Sequence, residues 1–147
     1  MCLPDLRYII LSKIINDDNG RRSELAGFLS FMLTYEDGFD VIYCYEIHLA
    51  PGLEGHGLGK RLVHMMEDVG RKAGVQKAML TVFVANEAAS AFYHKLGYEV
   101  DEYSPRPRKL RNGVVKEADY AILSKRLVEE PRKVVGLGRR KRKLEGE

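Results

Sequence analysis

The chain has 147 residues, 45% hydrophobic and 31% charged, with 24 Lys and Arg against 21 Asp and Glu and a formal net charge of +3. That length buries one core but not two, and the balance excludes a wholly disordered or collagen-like chain. Cys2 and Cys44 allow one bridge at most and no four-cysteine zinc site, so no metal centre is expected.

Tyr8-Ile9-Ile10-Leu11, continuing to Ile14-Ile15, is β-branched and aromatic and predicts a strand. Asp5, Arg7 and Lys13 interrupt any signal-peptide core, and no apolar stretch is long enough for a membrane helix. A reduced intracellular compartment without membrane association is therefore expected. After the turn Asn16–Gly20, Leu25–Leu33 predicts a second strand, Glu36-Asp37-Gly38 a turn, and Val41–Leu49 a third strand. Three strands on short connections imply an antiparallel meander.

From Gly57 the period changes. Leu58, Leu62, Met65, Met66, Val69 and Ala73 recur at helical spacing, and Gly74 supplies a stop. Ala78–Val84 is a nearly continuous apolar run, as in a strand covered on both faces. Asn86 caps a helix over Glu87–Leu96, and Gly97 ends it. Tyr98–Tyr103 predicts a strand, residues 104–116 a basic loop with two prolines, and Ala118–Leu127 a last strand. The order β-β-β-α-β-α-β-β is a mixed α/β (α+β) sheet with two helices, with a right-handed parallel crossover between residues 41 and 84.

Residues 1–128 are expected to form one domain and residues 129–147 a disordered basic tail. The first part holds 17 basic and 17 acidic residues, the tail seven basic and four acidic, so the whole excess lies in the tail. A body of zero net charge predicts no direct nucleic-acid contact by the domain. The run Arg139-Arg140-Lys141-Arg142-Lys143 reads either as a nuclear-localisation or polyanion-contact segment or as a solvated terminus.

Glu54-Gly55-His56-Gly57-Leu58-Gly59-Lys60 lies at a strand-to-helix junction. Glycines there turn backbone N–H groups toward a helix N-terminus, which favours a phosphate or diphosphate; the same glycines also serve a plain connector. A dinucleotide fingerprint fails at Lys60, where glycine is required. A nucleoside-triphosphate loop fails at Glu54 and Arg61.

A second cluster follows about thirty residues on: Asn86-x-x-Ala89-x-x-Phe92-Tyr93-x-Lys95-x-Gly97-Tyr98. Together the two resemble the GNAT acetyltransferase superfamily, whose first site reads Gln/Arg-x-x-Gly-x-Gly/Ala; Glu54 departs from it. The resemblance implies a GNAT acyl-CoA N-acyltransferase fold, here with a shortened N-terminus, and acetyl-CoA as co-substrate. It places the pantetheine arm between the strand ending Ile47-His48-Leu49 and the strand near Thr81–Val84. Gly55, His56, Gly57, Leu58, Gly59 and Lys60 are then the diphosphate loop, with Asn86, Ala89 and Tyr93 completing the cofactor side. Tyr93 reads as a phenol at the leaving thiolate or as a packed aromatic.

Tyr43-Cys44-Tyr45-Glu46, with Met79–Phe83 and Asp119-Tyr120-x-Ile122-Leu123-Ser124, is similar to one branch, the N-alpha-acetyltransferase D (NatD) family. That family acetylates the N-terminal serine of H-four and H-two-A type histones, whose tails begin Ser-Gly-Arg-Gly. The resemblance implies Glu46 as base and Tyr43, Tyr45 and Tyr120 around the peptide, in a monomer of nucleus and cytoplasm. On local sequence, Glu46 is equally a strand carboxylate paired to a basic neighbour. Strand alternation puts Tyr43 and Tyr45 on one face and Cys44 and Glu46 on the other unless a bulge intervenes. An acidic mouth is expected from Glu36, Asp37, Asp40, Asp101, Glu102 and Asp119. The competing readings are a GNAT enzyme for another N-terminus, a lysine or a small amine, and an inactive acyl-CoA-binding module.

Overall fold

A computed structural model of the chain describes residues 5–128; the basic tail and Cys2 lie outside the described residues. Strand β1 (Arg7–Asp17) returns as β2 (Gly20–Glu36) across a two-residue turn. The Asn19 N–H donates to Asp17 Oδ1 at 2.9 Å there, and Gly20 takes a φ of 108°. β2 starts earlier than the sequence predicts because the polar residues 20–24 pair fully with β1 while burying nothing. Hydrophobicity marks only the covered half of a strand.

Asp37 and Gly38, both at positive φ, turn β2 into β3 (Phe39–Leu49). Helix α1 (Leu58–Ala73) then carries the chain to β4 (Lys77–Phe83), which lies parallel to β3. Helix α2 (Glu87–Lys95) starts at Asn86, whose side chain accepts from the Ala89 N–H at 3.1 Å. The short β5 (Glu99–Val100), the hairpin β6 (Arg108–Lys109) and β7 (Val115–Lys116), and β8 (Tyr120–Arg126) complete the order. The main sheet runs β1-β2-β3-β4-β8-β5, and only β3–β4 is parallel.

One face of this sheet carries Leu29, Phe31, Ile42, Cys44, Leu80 and Val82 into the core, against Leu62, Val63 and Met66 of α1 and Tyr93 of α2. The buried face of α1 is rotated from the predicted stripe: Met65 is exposed, while Glu67 and Gly70 are buried. Glu67 tolerates burial because the Tyr98 hydroxyl (2.9 Å) and Lys125 Nζ (3.1 and 3.2 Å) donate to it. Gly70 is buried because Leu127, Ile42 and Val75 occupy the space a side chain would need.

Two expectations after α2 need correction. The strand predicted over Tyr98–Tyr103 pairs at only two residues, because Asp101 turns the chain inward. Its Oδ1 accepts from the Tyr103 N–H at 2.9 Å and its Oδ2 from the buried Lys77 Nζ at 2.7 Å. The basic loop 104–116 contains the β6–β7 hairpin, closed by the Leu110 N–H on the Val114 carbonyl at 2.8 Å.

Candidate active site

β3 and β4 stay paired only from Val41–Lys77 to Cys44–Leu80. Beyond that point β4 keeps its pairing with β8 as far as Phe83–Tyr120, so β3 is the strand that departs. The cause is a bulge: Ser30 of β2 faces Glu46 and Phe31 faces Cys44, leaving Tyr45 without a partner. The Cys44 thiol spans it, donating to the Glu46 carbonyl at 3.9 Å. The facing edges, residues 45–49 and 81–83, leave a wedge lined by backbone groups with no ladder partner across it.

The bulge also overturns the simple alternation. Ile42 and Cys44 face the core, and after the bulge Ile47 and Leu49 pack against it. Glu46 and His48 are thereby switched to the opposite face, the one Tyr43 occupies, and Glu46 does not share a face with Cys44. His48 stacks on Phe28 with ring centroids 5.0 Å apart, and its Nε2 donates to Glu46 Oε2 at 3.2 Å. Of the predicted acyl-donor residues Ile47, His48 and Leu49, only the backbone edges line the wedge.

On that face Tyr43 and Thr81 hydrogen-bond across the last rungs before the strands part. Burial raises the Tyr43 phenol above its ordinary range, opposed by the Thr81 hydrogen bond and reinforced by Glu36, Tyr45 and Tyr120. The Tyr45 ring lies 5.5 Å from that of Tyr43, and Tyr120 opposes Phe83 at the end of β4. Glu36 and Asp37 join Tyr43, Tyr45, Met79 and Thr81 around a cavity of about 350 Å³. Thr81 is the site residue that sequence reasoning passed over; the lone polar side chain in the apolar run 78–84 was its signal.

The helix side is drier. Tyr93 is buried, packed edge-on against Phe92 and Tyr98 with centroids at 5.0 and 5.8 Å. Burial, and next the neighbouring Cys44, raise its phenol so that it stays protonated. Burial also pushes the Cys44 thiol up to about 12, which leaves it a poor nucleophile at neutral pH.

At the head of α1, Gly55 and Gly57 take φ values of 81° and 77° with open space where side chains would stand. No side chain caps this helix and its first turn holds no acidic residue, so its leading amides remain available to an anion. Glu54 turns back on its own loop and accepts from the Gly52 N–H at 3.2 Å; His56 Nδ1 contacts the Leu53 carbonyl at 3.2 Å. Gly59 lies against Phe92, where an added Cβ would meet the ring at 3.4 Å, so loop and second motif are packed together.

The predicted acidic mouth is not one cluster. Glu36 and Asp37 stand by Tyr43 and Asp119 beside Tyr120, whereas Asp101 is buried against Lys77. Asp101 and Glu102 line a separate cavity of about 410 Å³ at the start of β4, with Phe39 and Arg126. Asp40 lies at that end too, its backbone N–H bound to the Gln76 side chain at 3.2 Å. Among the described residues no helix is long and apolar enough to cross a membrane, and no three His, Cys, Asp or Glu side chains gather as for a metal.

Parallel strands parted at a bulge, with a glycine turn leading into a helix beside them, define an acyltransferase fold. The Acetyltransferase (GNAT) family profile matches residues 4–98, and the chain belongs to that family. Over 108 residues it is 36% identical to N-alpha-acetyltransferase 40 of Saccharomyces cerevisiae, across 61% of this chain and 37% of that protein. Over 93 residues it is 25% identical to the L-methionine sulfoximine/L-methionine sulfone acetyltransferase of Salmonella typhimurium, across 63% of this chain and 53% of that one. The chain therefore spans about a third to a half of the curated relatives it matches. The PaiA N-acetyltransferase of Thermoplasma acidophilum, solved with coenzyme A, shares the fold with a TM-score of 0.56. That match has 17% identity over 83% of this chain and 61% of that one.

Proposed function

We propose that the chain transfers an acetyl group from acetyl-CoA to the α-amine of a protein N-terminus, with histone-type tails beginning Ser-Gly-Arg-Gly as substrate. The observation that carries this reading is the Tyr45 bulge. It parts β3 from β4 and turns Glu46 to the face of Tyr43, while Tyr93 is buried in the core with Cys44 on the opposite face. The likeness to the yeast N-alpha-acetyltransferase 40 supports the α-amine as acceptor.

The residues present fit acetyl-CoA. The uncapped α1 N-terminus, with Lys60 and Arg61 in its first turn, suits a diphosphate, and the open edges of β3 and β4 suit an amide-bearing arm. When bound, the co-substrate would supply a thioester carbonyl. An α-ammonium, with a pKa of about 8, gives its proton to Glu46, directly or through water. The neutral amine attacks the carbonyl, the C–N bond forms and the C–S bond breaks. The proton shed by the new amide balances the one taken up by the sulfur, to which the Tyr93 hydroxyl donates a hydrogen bond. Tyr43, Tyr45 and Tyr120 shape the peptide side. In this reading the protein acts as a monomer in nucleus and cytoplasm, the basic run in residues 139–143 serving as address.

A free amino-acid amine is the second reading, favoured by the likeness to the Salmonella enzyme. Thiol release from acetyl-CoA with a Ser-Gly-Arg-Gly peptide, other N-termini and free amino-acid analogues decides between them. Turnover on the Ser-Gly-Arg-Gly peptide well above the rest is expected. Turnover confined to another N-terminus or to small amines removes the histone assignment, and acetyl-CoA binding without any turnover removes the enzyme.

A further inference from the structure

Residues 104–116 carry Arg106, Arg108, Lys109, Arg111 and Lys116 and no acidic residue. All five are exposed, and among the described residues none has a carboxylate oxygen within 4.0 Å. They sit on and around the β6–β7 hairpin, a two-stranded sheet separate from the main one. Its register sets Arg108 directly opposite Lys116. Like charges facing each other across a ladder repel; no third strand joins this ribbon, and neither side chain is ion-paired among the described residues. Arg106, Arg108 and Lys116 also share a concavity of about 300 Å³ that extends to Tyr120, with Glu117 and Asp119 on its β8 side.

We propose that this hairpin docks on the phosphodiester backbone of a nucleic-acid duplex. An anion between Arg108 and Lys116 converts their repulsion into two attractions, and Arg106, which lines the same concavity, meets the next phosphate. A duplex offers a dense line of such charges, about one per 1.7 Å of axis. Residues 104–116 contain no aromatic side chain, and the concavity offers the single ring of Tyr120 at its far end. The row of rings that single-strand binders stack bases on and the aromatic cluster that centres protein interfaces are therefore both lacking. Backbone contact without base readout is what remains. The zero net charge of residues 1–128 conceals this hairpin because it sums the whole domain, whereas residues 104–116 alone hold five basic and no acidic residues. Docking here places the duplex beside Tyr120, at the edge of the peptide face, whatever amine that face accepts.

Fluorescence anisotropy of a labelled short DNA duplex with the full chain tests this across a salt series. One variant carries Arg106→Gln, Arg108→Gln, Lys109→Gln, Arg111→Gln and Lys116→Gln; a second carries glutamine at the five positions 139–143. All five hairpin side chains are exposed, and circular dichroism checks that the first variant folds. The hairpin variant is expected to lose at least about tenfold in affinity, and its slope of log affinity against log salt to fall by about two to three. The tail variant should keep the hairpin's share of binding. Displacement of the DNA by an unlabelled RNA duplex supports the same backbone contact. The proposal is overturned if the hairpin variant binds like the parent, if neither duplex binds, or if poly-glutamate displaces the probe better than either duplex.

Discussion

Glu46 and Tyr43 share a face of the sheet although they stand three residues apart, because Tyr45 between them has no partner on β2. This relationship gives the candidate base its direction. Glu46→Gln keeps shape and hydrogen bonding but cannot take a proton. Its turnover should fall by about 10²- to 10⁴-fold, with acetyl-CoA affinity unchanged by calorimetry. Because an α-amine deprotonates unaided at high pH, the deficit should narrow as pH rises through about 8. Full activity in the variant would remove Glu46 from the chemistry.

If the bulge sets that direction, its backbone matters more than its side chain. Tyr45 is half exposed, so Tyr45→Ala should move stability by less than about 1 kcal/mol. Deleting Tyr45 removes the extra residue and leaves a regular β2–β3 ladder in which Glu46 and His48 keep their face and Ile47 and Leu49 stay against the core. The deletion variant should therefore melt within several degrees of Tyr45→Ala but lose acetyl-CoA affinity by calorimetry, because β3 no longer parts from β4. A deletion variant that keeps its affinity would show that the wedge does not depend on the bulge.

The bulge was also where sequence reading stopped. β3, α1, β4 and α2 were legible because their apolar periods differ and because Gly74, Asn86 and Gly97 punctuate them. The wedge between residues 45–49 and 81–83 followed only from the family resemblance, since no local pattern states which parallel strand will depart. Alternation does not foresee an extra residue, so by itself it reverses the face of Glu46. Burial of Glu67 was invisible because its partners Tyr98 and Lys125 lie 31 and 58 residues away. The β6–β7 hairpin, by contrast, had a signal: Asn112-Gly113 ahead of Val114-Val115 is strong turn chemistry inside what reads as a loop.

The Glu67 cluster ties α1, the end of α2 and β8 together behind Tyr93. Tyr98→Phe removes one donor to Glu67 but leaves Lys125 in place, and should cost about 1–3 kcal/mol. Lys125→Met leaves a buried carboxylate with Tyr98 and a distant Arg71 at 3.9 Å, and should cost more, toward about 3–5 kcal/mol. The order is the test: urea unfolding in which Tyr98→Phe is the less stable of the two variants would contradict the primacy of the ion pair.

Asp101 and Lys77 form the other buried pair, at 2.7 Å, with the Phe39 ring 4.3 Å from the ammonium. Burial by itself pushes the Asp101 carboxyl up. Hydrogen bonds from Lys77, Ser124 and the Tyr103 N–H outweigh it, and the net displacement is downward. A carboxyl held below its unfolded value, about 3.9, stabilises the fold fully above that pH. The contribution drains away as pH falls toward the lower folded value, because the unfolded chain takes up the proton first. Asp101→Asn lacks this contribution and leaves Lys77 without its carboxylate. Its deficit in urea midpoint against the parent should therefore be constant from pH 7 to about 5 and shrink below about 4. A deficit that persists undiminished into strong acid would mean that Asp101 acts through the shape of its turn, and not through its charge.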